Sequence, residues 1–247
     1  MKALHVIEVI RRSDQGATRP FLCRASDDNF YWVKGRGAGT RALCCEWVAG
    51  RLAQAIHLPI PHFAVLHVSP ALVEQSALEG ITDLGAGPVF GSQNVPAVQE
   101  ISMGDIRSIL PELRLRVLAF DWWIGNGDRS LGERGGNPNL LWAIGEENEL
   151  RLIDHNIAFD RGFRADQFFD SHIFGSERRQ PREAVLEARA KLADIAHRAR
   201  EIWAELPEEW SYVDALQSVP TDFTLAEVER MLGRLDVSFN QDWMMVQ

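Results

Sequence analysis

Three polar side chains in the middle of the chain have the types and the order that magnesium-dependent phosphoryl transfer requires. Asp128 lies in a glycine-rich stretch, Asn139 follows it, and Asp154 comes directly after the apolar pair Leu152-Ile153. In such sites one carboxylate accepts the proton of the acceptor hydroxyl, while an amide and a second carboxylate bind Mg²⁺. We therefore expect Asp128 to be the catalytic base and Asn139 and Asp154 to be metal ligands.

Two residues nearer the start of the chain fit the same chemistry. Lys34 ends the strand-like run of residues 29–34, and Glu46 lies twelve residues later in a helical pattern. A lysine on a strand can hold nucleotide phosphates when a helical glutamate pairs with it. Because Glu46 is the sole acid between Asp28 and Glu74, no other nearby carboxylate in the sequence competes for Lys34. The pattern predicts a Lys34–Glu46 pair that binds the phosphates of a nucleotide.

Composition and charge limit the classes of protein to which the chain can belong. Its 247 residues suffice for a two-lobed enzyme, and 46% hydrophobic with 25% charged residues is typical of a globular protein. The net charge of -9 argues against nucleic acid as the main partner. No apolar run approaches the roughly 18 residues of a membrane span, and residues 1–10 do not resemble a secretion signal. We expect no membrane partner.

The cysteines and histidines favour neither a disulfide framework nor a zinc site. Cys23, Cys44 and Cys45 are odd in number and two of them are adjacent, which indicates free thiols in a reducing cytoplasm. The seven histidines nowhere have the His-x-x-x-His spacing of a zinc helix. A zinc enzyme of that type is therefore disfavoured, and a cytoplasmic location is expected.

The first part of the chain is predicted to be rich in β-strands. Short apolar runs at residues 4–10, 21–24 and 30–33 are separated by polar turns, which predicts an antiparallel meander. Thr40 can begin a helix that runs to about residue 56, before two prolines, and residues 63–68 are predicted to form another strand. The Gly- and Pro-rich residues 69–97 are predicted to be an irregular connection between lobes.

The second part of the chain is predicted to be mainly helical. Pro111 fits the first turn of a helix whose broad apolar stripe ends at Gly125. Further helical patterns cover residues 183–205 and 224–236.

A predicted β-hairpin connects two of the candidate site residues. Strand-like runs at residues 140–144 and 149–153 flank the turn-like Gly145–Asn148, so antiparallel pairing is expected to return residue 154 beside residue 139. Opposed residues of paired strands lie about 4.5–5.5 Å apart, close enough to share one metal ion. Asn137 lies two residues farther out and is the alternative metal ligand.

The ordered set Lys34, Glu46, Asp128, Asn139 and Asp154 resembles the protein-kinase-like fold. The local sequence motifs at residues 125–129, 137–140 and 153–155 are similar to those of the HipA-like kinases and their phosphoinositide-kinase relatives. The resemblance implies an α+β fold with two lobes, a small antiparallel β-rich N-lobe at residues 1–102 and a larger, mainly helical C-lobe at residues 103–247. It also implies ATP in the cleft, Mg²⁺ on its phosphates, and transfer of the γ-phosphate to a Ser or Thr hydroxyl of a protein.

The sequence departs from the protein-kinase pattern at two points. Asp128 and Asn139 are eleven residues apart, where protein kinases have five, and no Gly-x-Gly-x-x-Gly motif precedes Lys34. The same site can phosphorylate a small molecule or transfer AMP, and a nucleotide-binding pseudokinase is the non-enzymatic alternative. Arg129 either anchors a phosphate or braces the loop by pairing with a carboxylate, and we favour bracing.

Overall fold

The computed structural model describes residues 3–14, 16–102, 104–131, 136–143 and 149–244. The chain forms two compact units, the first comprising Met1–Trp47, Pro61–Pro96 and Leu206–Phe223, and the second comprising Val48–Ile60, Ala97–Glu205 and Thr224–Gln247. The fold is mixed α+β, β-rich in the N-terminal part and helical in the C-terminal part, as predicted. The predicted lobe boundary between residues 102 and 103 stays a prediction.

The first unit contains a closed five-stranded barrel. Its strands are β1 Leu4–Arg12, β2 Phe21–Ala25, β3 Phe30–Lys34, β4 Phe63–Val68 and β5 Gly87–Gln93, in the order β1-β2-β3-β5-β4. The antiparallel meander β1–β2–β3 is confirmed. The expectation of a purely antiparallel lobe is wrong at one pairing, because β1 and β4 run parallel, with Leu4 opposite Leu66. Short turns impose antiparallel pairing only on neighbouring strands, and β1 and β4 are far apart in the sequence.

Strand β5 lies within residues 69–97, for which we predicted an irregular connection, and that prediction is wrong here. Glycine and proline obscure the strand pattern, yet Gly91 lies within this strand and packs closely against its neighbour. A Cβ atom at Gly91 would lie 2.0 Å from Cδ1 of Leu66 on the paired strand β4. The absence of a side chain at Gly91 therefore allows close packing in the barrel. Strand propensities nevertheless count a glycine as unfavourable within a strand.

The second unit contains a small antiparallel sheet and the helix that carries the candidate catalytic loop. The sheet has the order β6 Val98–Glu100, β7 Leu140–Ala143 and β8 Glu149–Leu152. Helix α3 runs from Pro111 to Ile124, with Gly125 in the left-handed conformation (φ 64°) directly after it, so both predicted ends are confirmed. A glycine at this position ends a helix without a steric penalty, and the chain then turns towards Asp128.

Two of the helices that the sequence pattern predicted are interrupted in the structure. The predicted helix at residues 183–205 is interrupted near residue 197, and that at 224–236 is interrupted at Gly233. The α-helices other than α3 are α1 Thr40–Ala55, α2 Pro70–Gln75, α4 Ala165–Ser171, α5 Arg182–Ala196, α6 Ala199–Trp203, α7 Leu225–Leu232 and α8 Arg234–Val237. A π-helical turn spans Asn240–Met244.

Cys23, Cys44 and Cys45 are buried and form no disulfide. Within the ranges that the structure describes, no helix combines the length and the apolar character needed to cross a bilayer.

Candidate active site

Lys34 and Glu46 form a buried ion pair in the first unit, as predicted. Nζ of Lys34 lies 2.6 Å from Oε1 of Glu46, and only 10% and 4% of the two side chains are exposed. Lys34 is the last residue of β3, and Glu46 lies on α1, so a strand end and a helix face fix the two partners independently. The geometry suits a lysine whose ammonium group is held in place by a carboxylate.

The glycines that follow Lys34 have a packing role. A Cβ atom at Gly35 would lie 1.9 Å from the carbonyl oxygen of Leu84, and one at Gly37 would lie 2.6 Å from Cβ of Asp83. The main-chain nitrogen of Arg36 donates a hydrogen bond to the same carbonyl of Leu84. These glycines therefore let the chain pass close to residues 83–84 immediately after the lysine.

We expect Lys34→Met and Glu46→Gln each to lower the free energy of unfolding by about 3–5 kcal/mol, because each leaves a buried partner without its counter-charge. The double variant should lose much less than the sum, since it removes both charges at once. Urea unfolding of the four proteins measures the coupling. Arg164→Met, in the exposed Arg164–Asp166 pair, is the control and should change little. Additive losses would show that the pair has no energetic coupling.

Asp128 is held by two asparagine side chains in the second unit. Its Oδ2 accepts hydrogen bonds from Nδ2 of Asn137 at 2.6 Å and from Nδ2 of Asn139 at 3.1 Å. The main-chain nitrogen of Ser130 donates to the carbonyls of both Asp128 and Asn137, which closes the loop between them. The long spacing between Asp128 and Asn139 is thus bridged, and both candidate amides reach the same carboxylate oxygen.

The predicted hairpin is present, but its register differs by one residue. Leu140 pairs with Leu152, and Ala143 pairs with Glu149. The predicted pairing of residue 139 with residue 154 would instead have placed Leu140 opposite Ile153. The predicted turn Gly145–Asn148 lies outside the described residues. A shift of one residue changes every pair, so the expectation that residue 154 lies opposite residue 139 is wrong.

Asn139 and Asp154 nevertheless flank the same end of the hairpin. The main-chain nitrogen of Ile153 donates to the carbonyl oxygen of Asn139 at 3.0 Å, which places Asp154 one residue beyond this contact. Asn139 and Asp154 both have positive φ values, 48° and 57°. Such conformations are uncommon outside glycine and concentrate at functional sites, where the surrounding structure holds them in place. The backbone here supports a site at this end of the hairpin.

The charge environment of Asp128 connects it to Asp154. Burial raises the pKa of Asp128 above its ordinary value, and the negative charge of Asp154 acts in the same direction. The hydrogen bonds from Asn139 and Asn137 and the charge of Arg129 oppose this shift. Two carboxylates that raise one another's energy in this way form a place where a cation is stabilised.

A buried network behind Asp128 was not predicted from the sequence. Nε of Arg129 donates to Oδ2 of Asp121 at 2.7 Å, and both side chains are 0% exposed. Asn126 donates to Oδ1 of Asp121 at 2.9 Å. The preferred bracing role of Arg129 is confirmed. A lone acid within the apolar run of α3, between Phe120 and the following tryptophans, is the signal that could have revealed Asp121.

His172 completes this network as a neutral ring. Its Nδ1 accepts from the main-chain nitrogen of Phe174 at 3.0 Å, so the proton is on Nε2, which lies 3.1 Å from Oδ2 of Asp121. Burial lowers the pKa of His172, against the attraction of Asp121. Burial acts to raise the pKa of Asp121, but the charge of Arg129 and the contact with His172 outweigh it and hold that pKa well below its ordinary value.

Comparison with known protein families connects this geometry to a kinase family. The family model described as HipA-like kinase matches residues 6–244. The chain belongs to the HipA-like kinases. Among solved structures, this HipA-like kinase is similar to the Helicobacter pylori proinflammatory kinase CtkA, with a TM-score of 0.54, 11% identity and 97% of each chain covered. At that identity the likeness shows the fold alone. No curated protein matches the chain.

The oxygen donors of this HipA-like kinase fit a magnesium ion. Both amide nitrogens of Asn137 and Asn139 donate to Asp128, and within the described ranges their amide oxygens have no hydrogen-bond donor. Asn139 and Asp154 could therefore supply hard oxygen ligands, which Mg²⁺ prefers, and Asn137 is the alternative amide ligand. The part of the chain that the structure describes contains no group of three His, Cys, Asp or Glu side chains suited to a metal.

The structure thus brings together the predicted site residues in two groups. Lys34 and Glu46 meet in the first unit, and Asp128, Asn139 and Asp154 lie at one end of the hairpin in the second. Their functional roles stay predictions.

Acidification should destabilise this HipA-like kinase partly through Asp121. Because its pKa is lowered in the folded state, Asp121 contributes stability above the ordinary carboxyl pKa of about 4 and loses it as the pH falls further. We expect the unfolding free energy of the wild type to fall more between about pH 5 and pH 3 than that of Asp121→Asn, measured by urea unfolding. Equal losses of unfolding free energy in the two proteins would contradict a lowered pKa of Asp121 in the folded state.

Proposed function

We propose that this HipA-like kinase is an ATP- and Mg²⁺-dependent phosphotransferase that transfers the γ-phosphate to a Ser or Thr hydroxyl of a protein. The observation that carries the proposal is the Asp128 carboxylate, held through one oxygen by Asn137 and Asn139 and electrostatically coupled to Asp154. A base, amide ligands and a second carboxylate are the parts that phosphoryl transfer requires. Membership of the kinase family supports the same reaction class.

Asp128 positions and deprotonates the acceptor hydroxyl. Its Oδ2 is occupied by the two asparagine amides, and within the described residues no group donates to its Oδ1. The second oxygen is therefore free to accept the proton of a substrate hydroxyl. Burial and the nearby Asp154 charge raise the pKa of Asp128, which makes the carboxylate a better base than an ordinary exposed one.

Asn139 and Asp154 would hold a magnesium ion. The bound ion would supply positive charge that offsets the charge of the nucleotide phosphates. Asn139 contributes its amide oxygen while its amide nitrogen stays on Asp128, so the same side chain connects the base and the metal site. Asn137 makes the shorter contact to Asp128 but is exposed, and we assign it to loop positioning.

Lys34 holds the nucleotide phosphates, and Glu46 holds Lys34. The buried 2.6 Å contact keeps the ammonium group in one position, so little conformational entropy is lost when a phosphate binds. Lysine is suited to this task as a compact charge that approaches phosphate oxygens.

A cytoplasmic protein substrate is part of the proposal. The free, buried cysteines support a reducing compartment. The net charge of -9 favours a partner other than nucleic acid.

The test uses two forms of labelled ATP in parallel with candidate protein substrates and magnesium. Transfer of label from γ-labelled ATP to a Ser or Thr residue, without transfer from α-labelled ATP, supports the proposal. Transfer of the α-label identifies an AMP transferase, and labelled small molecules identify a small-molecule kinase. Stabilisation by nucleotide without any consumption of ATP identifies a pseudokinase. Each of these other outcomes contradicts the proposed reaction.

A further inference from the structure

The buried guanidinium group of Arg129 contacts more than its carboxylate partner. Nε and Nη2 lie 2.7 Å and 3.5 Å from the two carboxylate oxygens of Asp121. Nη1 donates to the carbonyl oxygens of Asn139 at 2.5 Å and Pro138 at 3.3 Å. Nη2 also lies 3.4 Å from Nε2 of His155. Every nitrogen of the guanidinium group therefore has a partner, and three of these five contacts are to Pro138, Asn139 and His155.

These contacts hold the main chain on both sides of the proposed metal site. The carbonyl oxygen of Asn139 accepts from Arg129 and also from the main-chain nitrogen of Ile153, so one atom joins both hairpin strands. His155 follows Asp154 directly, and its ring contacts the same guanidinium group. Because a guanidinium group carries only N–H donors, Nε2 of His155 acts as the acceptor in this contact. Arg129 thereby bonds to Asn139 and to the residue next to Asp154.

A buried salt bridge with Asp121 alone would not need all the donors of the Arg129 side chain. Asp121 already receives hydrogen bonds from Asn126 and has His172 beside it, so its charge does not depend on Arg129 alone. Arginine has five N–H donors in one rigid plane, whereas lysine has three on a single nitrogen. Only a planar group can satisfy Asp121, the carbonyl of Asn139 and His155 at once.

We propose that Arg129, oriented by Asp121, is a positioning residue that sets the placement of Asn139 relative to Asp154 and thereby the affinity of the site for a divalent metal. The proposal rests on the proposed function, since it concerns the same metal site. Groups that orient metal ligands through hydrogen bonds typically change metal affinity or activity by about 10- to 100-fold when they are altered.

The test compares Arg129→Lys with Arg51→Lys, a matched change in the same unit. Arg51 makes a two-point contact with Glu205, with Nε and Nη2 at 2.7 Å and 2.9 Å from its carboxylate oxygens. Binding of Mn²⁺ in the presence of ADP is measured by the loss of the free-ion electron paramagnetic resonance signal beyond the loss that ADP alone causes, and folding is checked by circular dichroism. We expect Arg129→Lys to raise the Mn²⁺ dissociation constant by about 10- to 100-fold and Arg51→Lys to leave it unchanged.

The outcomes separate the two proposals. If the wild type binds no Mn²⁺ with ADP, the proposed metal site and the role of Arg129 are both overturned. If the wild type binds Mn²⁺ and Arg129→Lys binds it equally well, only the role of Arg129 is overturned. If Arg129→Lys does not fold, Asp121→Asn decides, because it keeps the shape of the partner while weakening its hold on Arg129. We expect Asp121→Asn to raise the Mn²⁺ dissociation constant by less than Arg129→Lys would. An unchanged dissociation constant overturns the proposal.

Discussion

Asp128→Asn is expected to lower ATP turnover by about 100- to 10,000-fold, the range for loss of a positioned general base. Asparagine preserves the shape of the side chain but cannot take a proton from the acceptor hydroxyl. The amides of Asn137 and Asn139 now donate to the carboxylate, so the variant also replaces a charge-assisted acceptor with a neutral one. The measurement is transfer of γ-label at saturating ATP and magnesium.

The matched control for Asp128→Asn is Asp166→Asn. Asp166 is an exposed carboxylate of the same unit, paired with Arg164 on the surface. The same chemical change there should leave turnover close to that of the wild type. Nucleotide binding by Asp128→Asn, followed by thermal stabilisation, should persist because Asp128 acts on the acceptor. A variant that keeps more than about a tenth of the wild-type rate would remove Asp128 from the chemical step.

Asn139→Ala is expected to lower turnover by about 100-fold or more, whereas Asn137→Ala should have a much smaller effect. Asn139 is buried, its carbonyl oxygen is bonded to Arg129 and Ile153, and its amide oxygen is proposed to bind magnesium. Asn137 is exposed and contacts Asp128 through its amide nitrogen. Loss of Asn137 therefore loosens the loop, while loss of Asn139 removes a metal ligand.

Turnover of both asparagine variants is measured at saturating ATP over a series of magnesium concentrations. The defect of Asn139→Ala should include a higher magnesium requirement, and that of Asn137→Ala should not. Both side chains donate to the same oxygen of Asp128, so loss of this hydrogen bond alone should lower the turnover of the two variants to a similar extent. The reverse ranking would transfer the metal-binding role to Asn137.

Local sequence patterns predicted the elements that carry the candidate residues. The run of aromatic and β-branched residues at 30–33 predicted the strand that ends at Lys34, and Pro111 and Gly125 marked both ends of α3. Each of these signals depends on residues within one or two turns of the chain, where backbone preferences act directly. The hairpin was predicted for the same reason, although the observed register differs from the predicted one by one residue.

Contacts between distant parts of the sequence decided the rest. The parallel pairing of β1 with β4 closes the barrel, and Leu66 accounts for the glycine within β5. The network of Asp121, Arg129 and His172 joins three separate segments. A charged residue on an apolar helix face is stable only when its partners are folded against it, because burying an unpaired charge is costly. The sequence by itself determined which residue types can perform the chemistry, and the tertiary structure alone decided what holds them in place.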